Sequence, residues 1–320
     1  MRLCRLSLLV LVVLEAGLGQ PGGVAALGYK AVPDWPDLPA GWNFGEVAGV
    51  AAGAGGRVLL FHRGPHPIME FESGGKFVRS WGDGMISWFP GPNTPTYGLI
   101  PARPACDSCG AHSVRIDPEG NIWTIDAGGH VVVKMNPKGR VILQLGRKGV
   151  LGTGRGNFNM PTDVAFAPNG DFYVTDGYGN SRVVKFSREG QYLLEWGTKG
   201  SGPGEFLLPH AVVLDARQRV YVSDRENRRI EVFDSGGKFL TQWANIGGFS
   251  GLAITKDQQI WAAGGGNVVL LNLEGQILGR LAPPGNLPGQ VSAAHGIAVS
   301  DAGEVYVGEL NWRVQKFVKP

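Results

Sequence analysis

From residue 41 onward the chain alternates short apolar runs with polar turns, in an order that repeats. The clearest stretch, residues 160–197, reads MPTDVAFAPNGDFYVTDGYGNSRVVKFSREGQYLLEWG, and residues 208–243 read LPHAVVLDARQRVYVSDRENRRIEVFDSGGKFLTQW. Short runs rich in Val, Phe, Tyr and Leu, bounded by Gly, Asn and Asp, read as strands rather than helices. Each stretch predicts a short strand, a polar turn, and a second strand ending at Asp176 or Asp224. A loop, a third strand ending at Phe186 or Phe233, a Gly turn and a fourth strand follow.

Looser copies occupy 49–82, which ends in FVRSWG, and 111–146, which contains HSVRIDPEGNIWTID and VVVKMNPKG. Two more lie at 250–279, with GLAITKDQQIWAAG, and at 294–317, with HGIAVSDAGEVYVGELNWRVQKF. Six copies of four strands suit one all-β ring, a six-bladed β-propeller. A lone blade cannot bury both of its faces, so stability requires the ring. The last copy stops soon after its third strand. Residues between Tyr29 and Trp42 are the candidate donors of the missing strand, although Pro33, Pro36 and Pro39 suit a strand poorly.

Composition agrees with this architecture. Gly 51 and Pro 21 supply the turns, and 43% hydrophobic residues argue against disorder. A net charge of +3 without a basic block gives no nucleic-acid surface. Residues 1–19 have the form of a secretory signal, with Arg2 and Arg5 before an apolar stretch and Ala16, Gly17 and Gly19 near a cleavage site. The apolar run is shorter than the ~20 residues a membrane helix needs. The chain therefore divides into a signal (1–19), an N-terminal segment (20–40) and the propeller (41–320) with a long loop at 83–110. The expected location is secreted or periplasmic, as a monomer free of the membrane once the signal is cleaved. Cys106 and Cys109 form a CDSC pair that reads as a local loop disulfide in an exported protein. No second cysteine pair completes a four-ligand zinc site.

Aligning the copies at their first strands brings six positions into register: Ala48, His112, Thr162, His210, Ser250 and His295. First strands line a propeller's channel, so histidines in the second, fourth and sixth copies converge on the axis. Three imidazoles suit a tetrahedral ion with one open position. Zinc is the natural choice, with manganese, iron and copper also open. The loops between second and third strands lie on the same face and carry His62 and Arg63, His130, Tyr178, and Arg225. Arginine binds carboxylates in bidentate fashion. Nearby cations favour an ionised tyrosine, which makes Tyr178 a candidate general base. The plainer reading pairs the arginines with loop carboxylates such as Glu226. Asp176 and Asp224 read as structural turn residues.

These motifs resemble NHL-repeat propellers and, within them, the peptidyl-α-hydroxyglycine α-amidating lyase family. The resemblance rests on FHRG at 61–64, TDVAF ahead of DGYGNSR, LPH at 208–210 and DREN at 224–227. It implies zinc on His112, His210 and His295, Tyr178 as catalytic base, Arg63 as its charge-stabilising partner and Arg225 tuning the same pocket. The implied reaction splits an α-hydroxyglycine-type substrate, small or peptidyl, into an amide and glyoxylate. Two departures matter. Where the family has MPHD, residues 293–296 are Ala-Ala-His-Gly, so a substrate-contacting methionine is missing. The aspartate that helps hold a structural calcium is missing too, and calcium is not carried over. Gly179 stands where the family has a cysteine. The alternative to a carbon–nitrogen lyase is a non-catalytic exported propeller that binds a protein or other ligand around a structural metal. A metal-dependent hydrolase or lactonase ranks last, because such sites usually rely on carboxylate ligands.

Overall fold

A computed structural model describes residues 24–85 and 110–320. Residues 1–19, read above as a signal, most of the long loop, and Cys106 and Cys109 lie outside the described residues. The described chain forms six four-stranded antiparallel sheets, five of consecutive strands and a sixth in which the first strand joins the last three. This is the six-bladed propeller that the repeats predict.

Strand position within a blade explains strand composition. Second strands such as Ile122–Asp126, Phe172–Asp176 and Val220–Asp224 are buried along their whole length. Neighbouring blades cover both of their faces, so they read as continuous apolar runs. Fourth strands such as Val141–Leu145 form the rim and are mostly exposed. The core lies between blades: Trp123 of the second blade packs against Phe172 of the third with ring centres 4.6 Å apart. Burying a side chain of this kind stabilises the fold by about 1.5–3 kcal/mol.

The turns between third and fourth strands lock each blade to its neighbour. Gly237 has φ +82°, and a Cβ there would come within 2.6 Å of Trp196 in the preceding blade. Gly275 has φ +83°, and its Cβ would come within 2.4 Å of Trp243. Both the left-handed backbone and the close approach demand glycine.

The ring closes through the N-terminal segment. Lys30–Ala31 pair antiparallel with Arg313–Val318, as Lys30 opposite Val318 and Ala31 opposite Phe317. Val32 adds one more hydrogen bond, from its N–H to Lys316 O at 2.8 Å. Regular pairing stops there because Pro33 has no N–H to donate. The tail is held by aromatic packing instead: Tyr29 on Trp261 at 5.5 Å and Trp35 on Tyr306 at 5.1 Å. No described helix is long and apolar enough to cross a membrane.

Candidate metal centre

The first strand of each blade lines the channel, and the aligned positions meet at its mouth. His112, His210 and His295 are buried, and one ligating nitrogen from each lies within 4.8 Å of the others. The alignment sets these residues just before their strands. They sit inside them instead, as second residues of Ala111–Ile116, Pro209–Leu214 and Ala294–Val299. Each is the unpaired residue of a β-bulge, since the register skips from Ala111 to Ser113, Pro209 to Ala211 and Ala294 to Gly296. A bulge re-aims a side chain that regular pleating would direct elsewhere.

The intervening positions orient the rings. Nδ1 of His112 donates to Thr162 O at 2.6 Å, Nδ1 of His210 to Ser250 O at 2.7 Å, and Nδ1 of His295 to Ala48 O at 2.7 Å. A carbonyl oxygen can only accept, so each Nδ1 keeps its proton and the neutral ring's lone pair lies on Nε2. Burial holds all three imidazoles neutral. It pushes His295 down to about 3, helped by the charge of Arg63. It also lowers His112, with His295 and Arg63 adding to the effect, and His210, with Arg225 adding. Three neutral, buried, pre-oriented nitrogens fit a borderline divalent ion such as zinc. No second group of three or more clustered His, Cys, Asp or Glu occurs among the described residues.

Tyr178 completes the mouth. It lies on a one-turn helix, Gly177–Asn180, between the second and third strands of blade three. Its hydroxyl is 3.2 Å from Nε2 of His112 and 3.1 Å from Nε2 of His210. Burial raises its phenol above the ordinary value, while Arg225 and Arg63 pull it down. Gly177 is needed by contact, since a Cβ there would come within 2.2 Å of the backbone oxygen of Pro209, while at Gly179, where the family has a cysteine, a Cβ would meet only the amide end of the Asn159 side chain.

Arg225 stands over the same ring, its guanidinium 5.8 Å from the Tyr178 ring centre, and its Nε donates to Glu226 at 3.0 Å. Arg63 donates through Nη1 to Glu46 at 2.7 Å and through Nε to Ala111 O, next to His112, at 3.0 Å. Both arginines therefore pair with carboxylates, as the plainer reading has it, while their charge still reaches the histidines and Tyr178. In the pairing register His62, opposite Val47, takes the place that Asp126, Asp224 and Glu309 hold in their blades, and Arg63 follows it as Arg225 follows Asp224. The partner of Arg63, Glu46, directly across the two strands, went unmarked although the register opposes them.

The two other loop histidines are occupied structurally. His62 accepts from Gly45 N at 2.9 Å and contacts His66 O at 3.1 Å, while His130 accepts from Met160 N at 3.1 Å. Asp176 and Asp224 are turn residues as expected. Asp176 accepts from Asn159 N and Arg182, and Asp224 from Leu207 N, Leu208 N and Arg229. Below the histidines the channel is lined by Asp163 and Arg115, which pair with each other, and Arg115 also donates to Leu252 O at 3.0 Å. Among the described residues Asp163 is the one carboxylate lining this part of the channel and is paired with Arg115, which leaves a poor donor set for calcium there.

Comparison with known proteins agrees with the propeller fold. The NHL repeat model matches residues 158–186. Peptidyl-glycine alpha-amidating monooxygenase of Mus musculus is 36% identical over 225 residues, 64% of this chain and 22% of that protein. Peptidyl-alpha-hydroxyglycine alpha-amidating lyase 1 of Drosophila melanogaster is 36% identical over 248 residues, 65% of this chain and 44% of that protein. The chain thus spans under a quarter of the monooxygenase and under half of the lyase. NHL repeat-containing protein 3 of Homo sapiens is 30% identical over 317 residues, 91% of this chain and 84% of that protein. Among solved structures, a streptogramin B lyase superposes with a TM-score of 0.59 at 15% identity, covering 92% of this chain and 99% of that one. At that identity the likeness concerns the fold alone. The chain belongs to the NHL-repeat β-propeller family that includes NHL repeat-containing protein 3 and the peptidyl-α-hydroxyglycine α-amidating lyases.

Proposed function

We propose that this chain is a zinc-dependent carbon–nitrogen lyase that converts an α-hydroxyglycine-type substrate to an amide and glyoxylate. The observation that carries the reading is the Tyr178 hydroxyl, held within 3.2 Å of two of the three inward-facing Nε2 atoms. A divalent ion held there supplies a Lewis acid for a substrate hydroxyl. The residues of the chain account for the remaining chemistry. Tyr178 takes the hydroxyl proton as the carbon–oxygen double bond forms and the carbon–nitrogen bond breaks. The same proton then goes to the departing amide nitrogen, so the reaction consumes no net acid or base. Arg63 and Arg225 favour the phenolate that accepts the proton and attract the substrate's carboxylate. We place this activity outside the cell or in the periplasm, on a small or peptidyl substrate.

A second reading has one observation in its favour. NHL repeat-containing protein 3, whose name states no reaction, matches far more of its own length than the lyase does. On that reading the metal is structural and the propeller binds a ligand without turnover.

Metal content and glyoxylate release from α-hydroxyhippurate separate the two. We predict about one zinc per chain, lost in a His112→Ala, His210→Ala, His295→Ala variant together with turnover. Tyr178→Phe is expected to keep the metal and to lower kcat by about 10²–10⁴-fold. Bound metal without turnover in the unaltered chain would leave the second reading, and a chain that binds no metal would remove both.

A further inference from the structure

We infer that the cleft between the sixth and first blades is the subsite for a neutral aromatic acyl group on the nitrogen of the α-hydroxyglycine; this inference rests on the lyase reading above. The cleft has a volume of about 1150 Å³ and is walled chiefly by Trp42, Phe44, Arg63, His66 and Trp312. Arg63 belongs to both places. It forms part of the cleft wall, and its Nε is anchored to Ala111 O beside His112. Arg63, whose charge also reaches His112 and His295, is thus the link between the cleft and the three histidines. A substrate whose hydroxyl and carboxylate face the histidines and arginines has its N-acyl group pointing away from them, and on this inference the cleft beyond Arg63 receives it.

The walls are suited to a flat apolar group. Trp42 lies parallel to His66, with ring centres 3.7 Å apart and planes 9° apart, and is braced edge-on by Phe77 at 5.5 Å. Among the described residues no carboxylate lines the cleft, whose titratable side chains are Arg63 and His66. A cationic acyl group would meet only Glu46 and Asp83, which already pair with Arg63 and His66.

Trp312 is the most telling residue. It is 69% exposed and has φ +65°. Four other blades place His66, His130, Ser181 and Arg228 at the matching left-handed turn position. Polar residues suit an exposed turn of this shape, whereas a bulky aromatic is uncommon there. Core packing does not account for an indole this exposed. A large ring left in solvent at the lip of a concave aromatic surface is the pattern of a ligand contact.

The test compares glyoxylate release from α-hydroxyhippurate, which carries a benzoyl group, with release from N-acetyl-α-hydroxyglycine. The unaltered chain is expected to show a KM about tenfold lower for the benzoyl substrate. Trp312→Ala should bring the ratio of the two KM values close to one, and Trp312→Phe should restore most of the preference. Equal KM values in the unaltered chain, or a preference that survives in Trp312→Ala, would overturn the inference. If neither substrate yields glyoxylate, the lyase reading fails by itself. The cleft is then tested by calorimetric titration with hippurate and N-acetylglycine. Binding of hippurate that is stronger than that of N-acetylglycine and lost in Trp312→Ala upholds an aromatic acyl site. Equal or absent binding overturns it.

Discussion

Six equivalent positions face one another at the mouth of the channel, and alternate members contribute different atoms. His112, His210 and His295 contribute side chains, while Ala48, Thr162 and Ser250 contribute backbone carbonyl oxygens that fix the rings. The bulge itself is not what separates the sets. Blade one has the same register skip, from Val47 to Gly49 around Ala48, yet has only a methyl group to aim. The repeat supplies the geometry, and substitution in every second copy supplies the chemistry. Small residues at the other three positions leave room for the imidazoles, and Ala48 and Thr162 are fully buried beside them.

Three substitutions sharpen or break this distinction. The largest effect is expected from His210→Ala. Removing a donor outright should weaken zinc binding by more than the about 10–100-fold typical of a lost supporting partner, as read by metal titration. An intermediate effect is expected from Thr162→Val, on stability rather than on metal. The Thr162 hydroxyl bonds Thr175 Oγ1 and Pro209 O, each at 2.8 Å, so its loss should lower unfolding free energy by about 1 kcal/mol in urea titration. Metal affinity should hold, because the carbonyl of residue 162 remains. The smallest effect is expected from Ser250→Ala, with unchanged metal affinity and stability within about 0.5 kcal/mol. Metal loss in Ser250→Ala matching that in His210→Ala would show that the side chains of the two sets are not distinct after all.

Much of this architecture is legible in the sequence because strand order and turn chemistry recur in every copy. The histidine set is legible for the same reason, since alignment makes an alternating substitution visible. What stays hidden has no side-chain signature or is assembled from distant segments. The carbonyls of Ala48, Thr162 and Ser250 belong to the backbone, which every residue has. The bulges follow from pairing register, and nothing in the local sequence of Ala294–Val299 marks them. Closure by Lys30–Ala31 is obscured because Pro33, Pro36 and Pro39 dominate the segment, although two paired residues suffice once Tyr29 and Trp35 are packed. The pairing of Arg115 with Asp163 joins neighbouring blades across the channel, and the aromatic cleft joins residues near both ends of the sequence. Neither can be read from a single copy.

If the three histidines hold an ion as proposed, ring closure gives that site a place in folding. His295 lies in the closing blade, and the carbonyl that orients it belongs to Ala48, 247 residues earlier. Contacts so distant in sequence form late, after the entropy of closing a long loop has been overcome. An open arc of blades has at most two histidines correctly set. An ion that needed all three would bind only the circular form, and by mass action would stabilise that form in proportion to the logarithm of its concentration. Available metal would thus act as a clasp, and metal-depleted protein should spend more time with its first and last blades parted.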